Sequence, residues 1–311
     1  MTLGRLTAAP RTTLAHRRLQ DASILVTGGT GLIGRHLLSA LADSGADVFA
    51  IVRPGREQLV PTGVRPIVWD LTELSAVSRL PARVDAVAHL AAPRKRWSTT
   101  GASLAAHIRL SVDAAGRVFD VARARGASRA VYVSTIAVAG PRGRASAPPS
   151  HPYSMTKRWG EELAVALREH MNGVTILRPG PVYGPGQSPF GLLARFAAQL
   201  KRRQPITIAA PHGRLVSPVF VADVVDPIVR SLAHSMNIAC SIGGPHAIRE
   251  RELIEDLGCW LALPCRIRVD ASERPARFDI DNGEIDRLFP DRQRTPWEVG
   301  LRLTWRRRSR N

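Results

Sequence analysis

Residues 24–37 read ILVTGGTGLIGRHL, an apolar run followed by Gly28, Gly29, Gly31 and Gly34. Glycine loses more chain entropy on folding than any other residue, so four within seven positions need a structural reason. The run 23–27 has the length and character of a buried strand, and 32–44 has the spacing of an amphipathic helix. A strand that turns through glycines into a helix suits an anion held at a helix N-terminus. In that reading Gly28 allows the sharp turn. Gly31 keeps a side chain away from a pyrophosphate, and Gly34 lets the helix lie close to the sheet.

The same rhythm continues. Strand-like runs at 48–52, 65–68, 86–90, 130–134 and 175–177 alternate with helical spacing, including 104–125. This predicts an α/β fold, a Rossmann doubly wound parallel sheet with helices on both faces. Beyond Pro179 the rhythm breaks into prolines, glycines and short strands, which predicts a smaller, irregular C-terminal substrate-capping part. The expected division is 1–20 as a disordered extension, 21–178 as mainly the dinucleotide-binding domain, and 179–311 as mainly the substrate-binding part. A segment near 216–242 is expected to return to the core sheet. The proline-rich stretch 141–152 reads as a loop.

The 311 residues carry 44 Lys and Arg against 26 Asp and Glu, a formal charge of +18. Such a balance suits a polyanion partner. However, only Lys95, Lys157 and Lys201 are lysines, and the arginines are spread along the chain with one cluster at Arg306-Arg307-Arg308. No nucleic-acid-binding motif appears. No run is long enough to span a bilayer. Cys240, Cys259 and Cys265 are odd in number and lack metal-ligand spacing, which reads as reduced thiols in a cytoplasmic protein. The expected partner is a small-molecule substrate, with neither nucleic acid nor membrane. The basic residues 1–20 lack the apolar centre of a secretory signal, leaving a transit peptide or a disordered extension.

The end of the second strand bears on cofactor choice. An acid there binds adenosine ribose hydroxyls and repels a 2′-phosphate. Here the chain reads Val52-Arg53-Pro54-Gly55-Arg56, with no acid before Glu57. Arg53, with Arg56 or Arg35, suits a bidentate grip on a 2′-phosphate, so NADP is expected, with NAD as the alternative. A solvated loop arginine is the plainer reading of Arg53.

After the fifth strand come Ser134 and Thr135, and eighteen residues beyond Thr135 the pattern Tyr153-Ser-Met-Thr-Lys157. On a helix these two share a face. The Lys157 ammonium is then expected to lower the phenol's pKa and make it a workable acid and base near neutrality. Thr135 would supply a second hydrogen bond to the substrate oxygen. The alternative is a Tyr and a Lys on a helix surface with no chemical role.

These residues resemble the extended short-chain dehydrogenase/reductases, the NAD-dependent epimerase/dehydratase group. The likeness runs over nearly the whole chain after Asp21. It rests on 27–34, on Trp69-Asp70-Leu71, on 87–92, on Ser134-Thr135, on Tyr153 to Lys157, and on LRPGPVYGPG at 177–186. It continues in Ile242-Gly243-Gly244-Pro245, Phe278-Asp279 and TPWEVGL at 295–301. The resemblance implies hydride transfer at a nicotinamide, with Thr135, Tyr153 and Lys157 catalytic. It implies a cofactor held by Gly28, Thr30, Gly31, Leu32, Ile33, Gly34, Arg53, Asp70, Leu71, Leu90, Ala91, Ala92, Ser134, Tyr153, Lys157, Pro179 and Val182, and no metal. The family often dimerises through two helices per subunit, one of them 104–125 here, so a homodimer is one possible assembly.

Departures narrow the reaction. Family dehydratases of nucleotide sugars follow the catalytic Thr with Asp and Glu. Ile136 and Ala137 stand there and cannot move a proton, which argues against 4,6-dehydration. Pro181 replaces an Asn common in nucleotide-sugar epimerases, Ser111 takes the place of a helix Asn in the family's proton path, and Val138-Ala139-Gly140 replaces Val-Tyr-Gly. Arg94-Lys95-Arg96-Trp97, Lys201-Arg202-Arg203 and Arg214 read either as grips on a nucleotide diphosphate or as solvated charge. His89 reads as a packed core residue, and His212 as an uncommitted loop residue. The expected activity is reduction of a ketone, or oxidation of a secondary alcohol, on a sugar nucleotide or a secondary-metabolite intermediate. A nucleotide-sugar epimerase and a non-catalytic NADP-sensing regulator are the alternatives.

Overall fold

The computed structural model describes residues 14–73, 79–93, 101–139, 151–273 and 275–305. Arg94 to Trp97, Gly140, most of the 141–152 stretch, residues 1–13 and Arg306 to Arg308 lie outside them. The first half alternates as read: β1 Ser23–Thr27, α2 Leu32–Ala42, β2 Asp47–Val52, β3 Val64–Val68, β4 Ala86–His89, α3 Gly101–Ile108, α4 Ala114–Ala124, β5 Arg129–Val133, α5 Pro152–Ala166 and β6 Gly173–Pro179, preceded by a short α1, Leu14–Arg18. The second half holds β7 Val182–Tyr183, α6 Leu192–Lys201, β8 Ile206–Ala209, β9 Leu215–Val216, β10 Val219–Phe220, α7 Val221–Ala233, β11 Ile238–Ile242, β12 Ile248–Arg249, α8 Glu250–Leu261, β13 Ile267–Asp270, β14 Arg277–Phe278, α9 Gly283–Leu288 and α10 Trp297–Thr304.

Seven strands form one parallel sheet in the order β11-β6-β5-β4-β1-β2-β3. Successive residues of a strand point to opposite faces, and here both faces are covered. Ile24 and Val26 of β1 join one core with Leu37, Leu41 and the α7 residues Val224 and Ile228. Leu25 joins the other with Ala115, Val118 and Phe119 of α4. All five β1 residues are buried, which is why the run is uniformly apolar up to Thr27. Chain order reverses between β1 and β4, and a crevice opens there at the carboxyl ends of the strands. β11 enters the sheet beside β6, and the smaller sheets β12-β9-β14, β13-β8 and β10-β7 lie outside it.

Two expectations need correction. Residues 14–18 are helical, with Ala15 and Leu19 buried in the α2–α7 core. The disordered extension read for 1–20 therefore does not extend over 14–20: an apolar pair on an otherwise basic segment suffices to dock it. The single helix read for 104–125 contains a π-helical turn, Arg109–Asp113, between α3 and α4. Such a turn admits one extra residue into the ladder, and Ser111 within it is fully buried.

Side-chain bonds fasten the late segments. Asp223 of α7 accepts from the Thr295 backbone N–H at 2.8 Å and from its hydroxyl at 2.6 Å. Arg178 of β6 donates Nε and Nη2 to Glu161 of α5 at 2.9 and 2.7 Å. That bidentate pair ties α5 to β6 of the sheet and sets the helix that carries Tyr153 and Lys157.

Candidate active site

The turn between β1 and α2 is built by removing side chains. Gly28 has φ +70°, and a Cβ on it would stand 2.7 Å from the Ala91 backbone nitrogen. A Cβ on Gly34 would stand 2.2 Å from the Gly28 carbonyl oxygen, so the helix can approach the turn only with glycine there. Gly31 N–H donates to the Gly28 oxygen at 2.9 Å and closes the turn. Gly31 is also the N-cap of α2 and supplies no capping side chain. The first N–H groups of α2 therefore lack an intrahelical partner and face outward beside Leu32 and Ile33.

A cavity of about 270 Å³ lies over this turn. Gly28, Gly31, Leu32, Ile33, Gly34, Leu90, Ala92, Ser134, Tyr153, Lys157 and Val182 line it, as do Val133, Gln187, Ser188 and Gly191. Tyr153 and Lys157 come from the first turns of α5, a helix begun by His151 at the N-cap and Pro152 at the first position. The helix sits close to β5 because residue 160 is glycine: a Cβ there would stand 2.1 Å from the Tyr132 hydroxyl. The lining brings a turn free of side chains at a helix N-terminus, where an anion is favoured, into one cavity with a phenol and an ammonium.

The family model described as the NAD dependent epimerase/dehydratase family matches residues 24–243. The chain belongs to this family. Among the relatives, dTDP-4-dehydro-6-deoxy-D-allose reductase of Streptomyces bikiniensis is 27% identical over 93% of this chain and 97% of that protein. The "Uncharacterized UDP-glucose epimerase YtcB" of Bacillus subtilis (strain 168) is 27% identical over 75% of this chain and 81% of that protein. Among solved structures, MoeE5 in complex with UDP-glucuronic acid and NAD superposes with a TM-score of 0.77 at 27% identity, over 91% of this chain and 97% of that one. Family and relatives together make this chain an NAD-dependent oxidoreductase or epimerase.

In this family member the Lys157 ammonium is buried. It donates to the Val133 carbonyl at 2.8 Å and lies 4.8 Å from the centre of the Tyr132 ring. Burial pulls it down to about 8, against the opposing pull of Glu161. The Tyr153 phenol moves the other way: its enclosure raises it above its ordinary value. This corrects the expectation that Lys157 lowers the phenol. The ammonium is engaged by a backbone carbonyl, and the phenolate would be formed inside the wall of a cavity, where desolvation dominates. The Tyr153 ring packs edge-on to His107, 6.3 Å between centroids. Ser134 is 4% exposed, and its hydroxyl oxygen is buried with no partner among the described residues.

The other sequence-derived residues fall outside the cavity lining. Thr135 is half-buried and its hydroxyl oxygen accepts from the Ala137 N–H at 3.3 Å. Ala91 backs the glycine turn, and its N–H donates to Thr27 Oγ1 at 3.3 Å. Asp70 accepts from the N–H and hydroxyl of Thr72 at 3.0 and 2.8 Å. These bonds, more than the nearby Arg53, hold its carboxyl below the usual range. Arg53 is exposed at the end of β2. Leu71 and Pro179 are buried, and Thr30 is half-buried. His89 is a core residue as read: it stacks on Tyr132, its Nδ1 is 3.1 Å from Thr27 Oγ1, and burial pulls it down to about 3. Gln187, Ser188 and Gly191 went unread. The signal available for them was the Pro185-Gly186 dipeptide, a turn marker that can aim the next side chain.

No helix among the described residues is long and apolar enough to cross a membrane. No group of three His, Cys, Asp or Glu side chains among them is placed to hold a metal ion.

Proposed function

We propose that the chain reduces a ketone, or oxidises a secondary alcohol, on a sugar nucleotide or a secondary-metabolite intermediate, with NADP as its preferred cofactor. The observation that carries this reading is one cavity lined at once by the glycine turn and by Tyr153 and Lys157. A bound nicotinamide supplies or accepts the hydride. Tyr153 gives the substrate oxygen its proton in reduction and takes it back in oxidation. Lys157 holds the nicotinamide ribose from the buried position that Val133 fixes. Thr135 turns its hydroxyl from Ala137 toward the substrate oxygen, and Ser134 supports the same end of the cavity. Gly28, Gly31 and Gly34 leave room for the pyrophosphate, and the α2 N-terminus faces it. Arg53, with no acid at the end of β2, favours a 2′-phosphate.

Relatives with both reductase and epimerase names support an epimerase as the second reading. An epimerase keeps its cofactor through the cycle, so purified protein would carry it tightly and need none added. The test is a screen of carbonyl compounds and nucleotide sugars followed at the nicotinamide absorbance, repeated with Tyr153→Phe. The variant is expected to lose roughly a thousandfold in kcat while cofactor affinity stays within about twofold. Turnover at the wild-type rate in that variant would remove Tyr153 from the mechanism.

A further inference from the structure

The segment Gly184-Pro185-Gly186-Gln187 forms a tight turn. The Gln187 N–H donates to the Gly184 carbonyl at 3.2 Å, with proline second and a glycine of φ +72° third, the type II arrangement. This turn is docked on the helix that carries the phosphate cradle. The Pro185 carbonyl is 3.2 Å from His36 Nε2 of α2. The Arg35 guanidinium lies over Gly186, where a Cβ would stand 2.3 Å from it, while Arg35 Nε donates to the Gly31 carbonyl at 3.3 Å. On its other side Gly184 packs against Val221, which would stand 2.5 Å from an added Cβ.

A turn held at three points aims the next side chain. Gln187 reaches the cavity wall, and both its amide atoms are buried without a partner among the described residues. Native proteins pair nearly all such groups, and a buried unpaired amide is destabilising. The amide oxygen lies 3.8 Å from where a Cβ on Gly191 would stand, toward the N-terminal turn of α6 and its unpaired N–H donors. With the oxygen turned there, the NH₂ is the unpaired donor at the cavity wall, covered by protein until the side chain rotates toward a ligand.

We infer that Gln187 is a phosphate ligand: its Nε2–H donates to an anionic phosphate oxygen lying over the β1–α2 turn. The inference rests on the nucleotide reading of this cavity. The oxygen belongs to the cofactor's pyrophosphate or to the diphosphate of a nucleotide-linked substrate, and two probes separate these. ADP-ribose carries the cofactor's pyrophosphate without nicotinamide, and UDP carries a substrate-type diphosphate. Calorimetric titration of wild type, Gln187→Met and Gln187→Glu with each probe is the experiment, together with the melting temperature of each protein without ligand. Gln187→Met keeps the volume and removes both polar atoms. It is expected to weaken one probe about tenfold, the scale of a lost hydrogen bond to a charged group, without lowering the melting temperature. Gln187→Glu is expected to weaken the same probe more, by placing like charge beside the phosphate. Loss confined to ADP-ribose assigns the cofactor, and loss confined to UDP assigns the substrate. Wild-type binding matched by both variants overturns the inference alone. Wild-type protein that binds neither probe overturns the nucleotide reading and this inference with it.

Discussion

The two ends of the cavity are made by opposite means. At the β1–α2 end the work is done by atoms that are missing: Gly28, Gly31 and Gly34 leave backbone where a Cβ would collide or crowd. At the α5 end it is done by atoms that are present: the buried Ser134 and Lys157 side chains and the half-buried Tyr153. The first end is steric and insensitive to pH. The second is electrostatic, held by desolvation and one carbonyl contact, and therefore titrates. Substitutions that add volume should damage one end, and changes in charge or pH should damage the other.

The largest expected effect of this contrast comes from Gly34→Ala. Alanine is favoured over glycine within a helix by about 1 kcal/mol, so propensity alone predicts a gain. The new Cβ would stand 2.2 Å from the Gly28 carbonyl oxygen, which is backbone and has nowhere to go. Helix α2 must then move off the turn, at a cost of about 1–3 kcal/mol typical of overpacking. We expect a lower melting temperature and more than roughly a hundredfold loss in cofactor affinity, since the cradle itself is displaced. A variant with wild-type affinity would show that the cradle does not depend on close packing.

The middle effect concerns Arg53, exposed at the end of β2. Arg53→Ala should weaken NADP by about twentyfold, the scale of a hydrogen bond to a charged group, and leave NAD within about twofold. Equal losses for both cofactors in a direct titration would mean that Arg53 does not read a 2′-phosphate.

The steric end was the more legible in the sequence. A strand, a glycine turn and a helix are local, and each collision that requires glycine lies within the turn or at the adjacent strand end. The i, i+4 placement of Tyr153 and Lys157 was local too. What sequence reasoning missed depends on contacts between distant segments. Gln187 is aimed by a turn that His36 touches across 149 positions of sequence. The direction of the Tyr153 shift is set by desolvation of the phenol in the folded chain, which helical spacing does not reveal. The π turn at Arg109–Asp113 keeps helical periodicity on both sides, so a pattern of apolar residues cannot expose it. The helix Leu14–Arg18 was obscured by its charge, since Ala15 alone within it is buried and Leu19 follows just after.

The smallest effect is the titration of the electrostatic end. Burial lowers Lys157 from an ordinary 10.5 to about 8 in the folded protein. If the charged form of Lys157 is the one that holds the nicotinamide ribose, kcat/KM for reduction should fall as pH rises through about 8, by about tenfold at pH 9, because kcat/KM reports the free enzyme. Stability should respond with the opposite sign. Between about 8 and 10.5 the unfolded chain keeps a proton on this group that the folded chain has released, so this lysine makes stability rise with pH across that window. Tyr153, raised by burial, acts against it only above its own ordinary value of 10.0. Lys157→Met should flatten the rise in melting temperature between about pH 8 and 10, and Gly34→Ala should leave that slope in place. A flat wild-type profile in both kcat/KM and melting temperature would mean that the ammonium is not desolvated, and the contrast between the two ends would fail at Lys157.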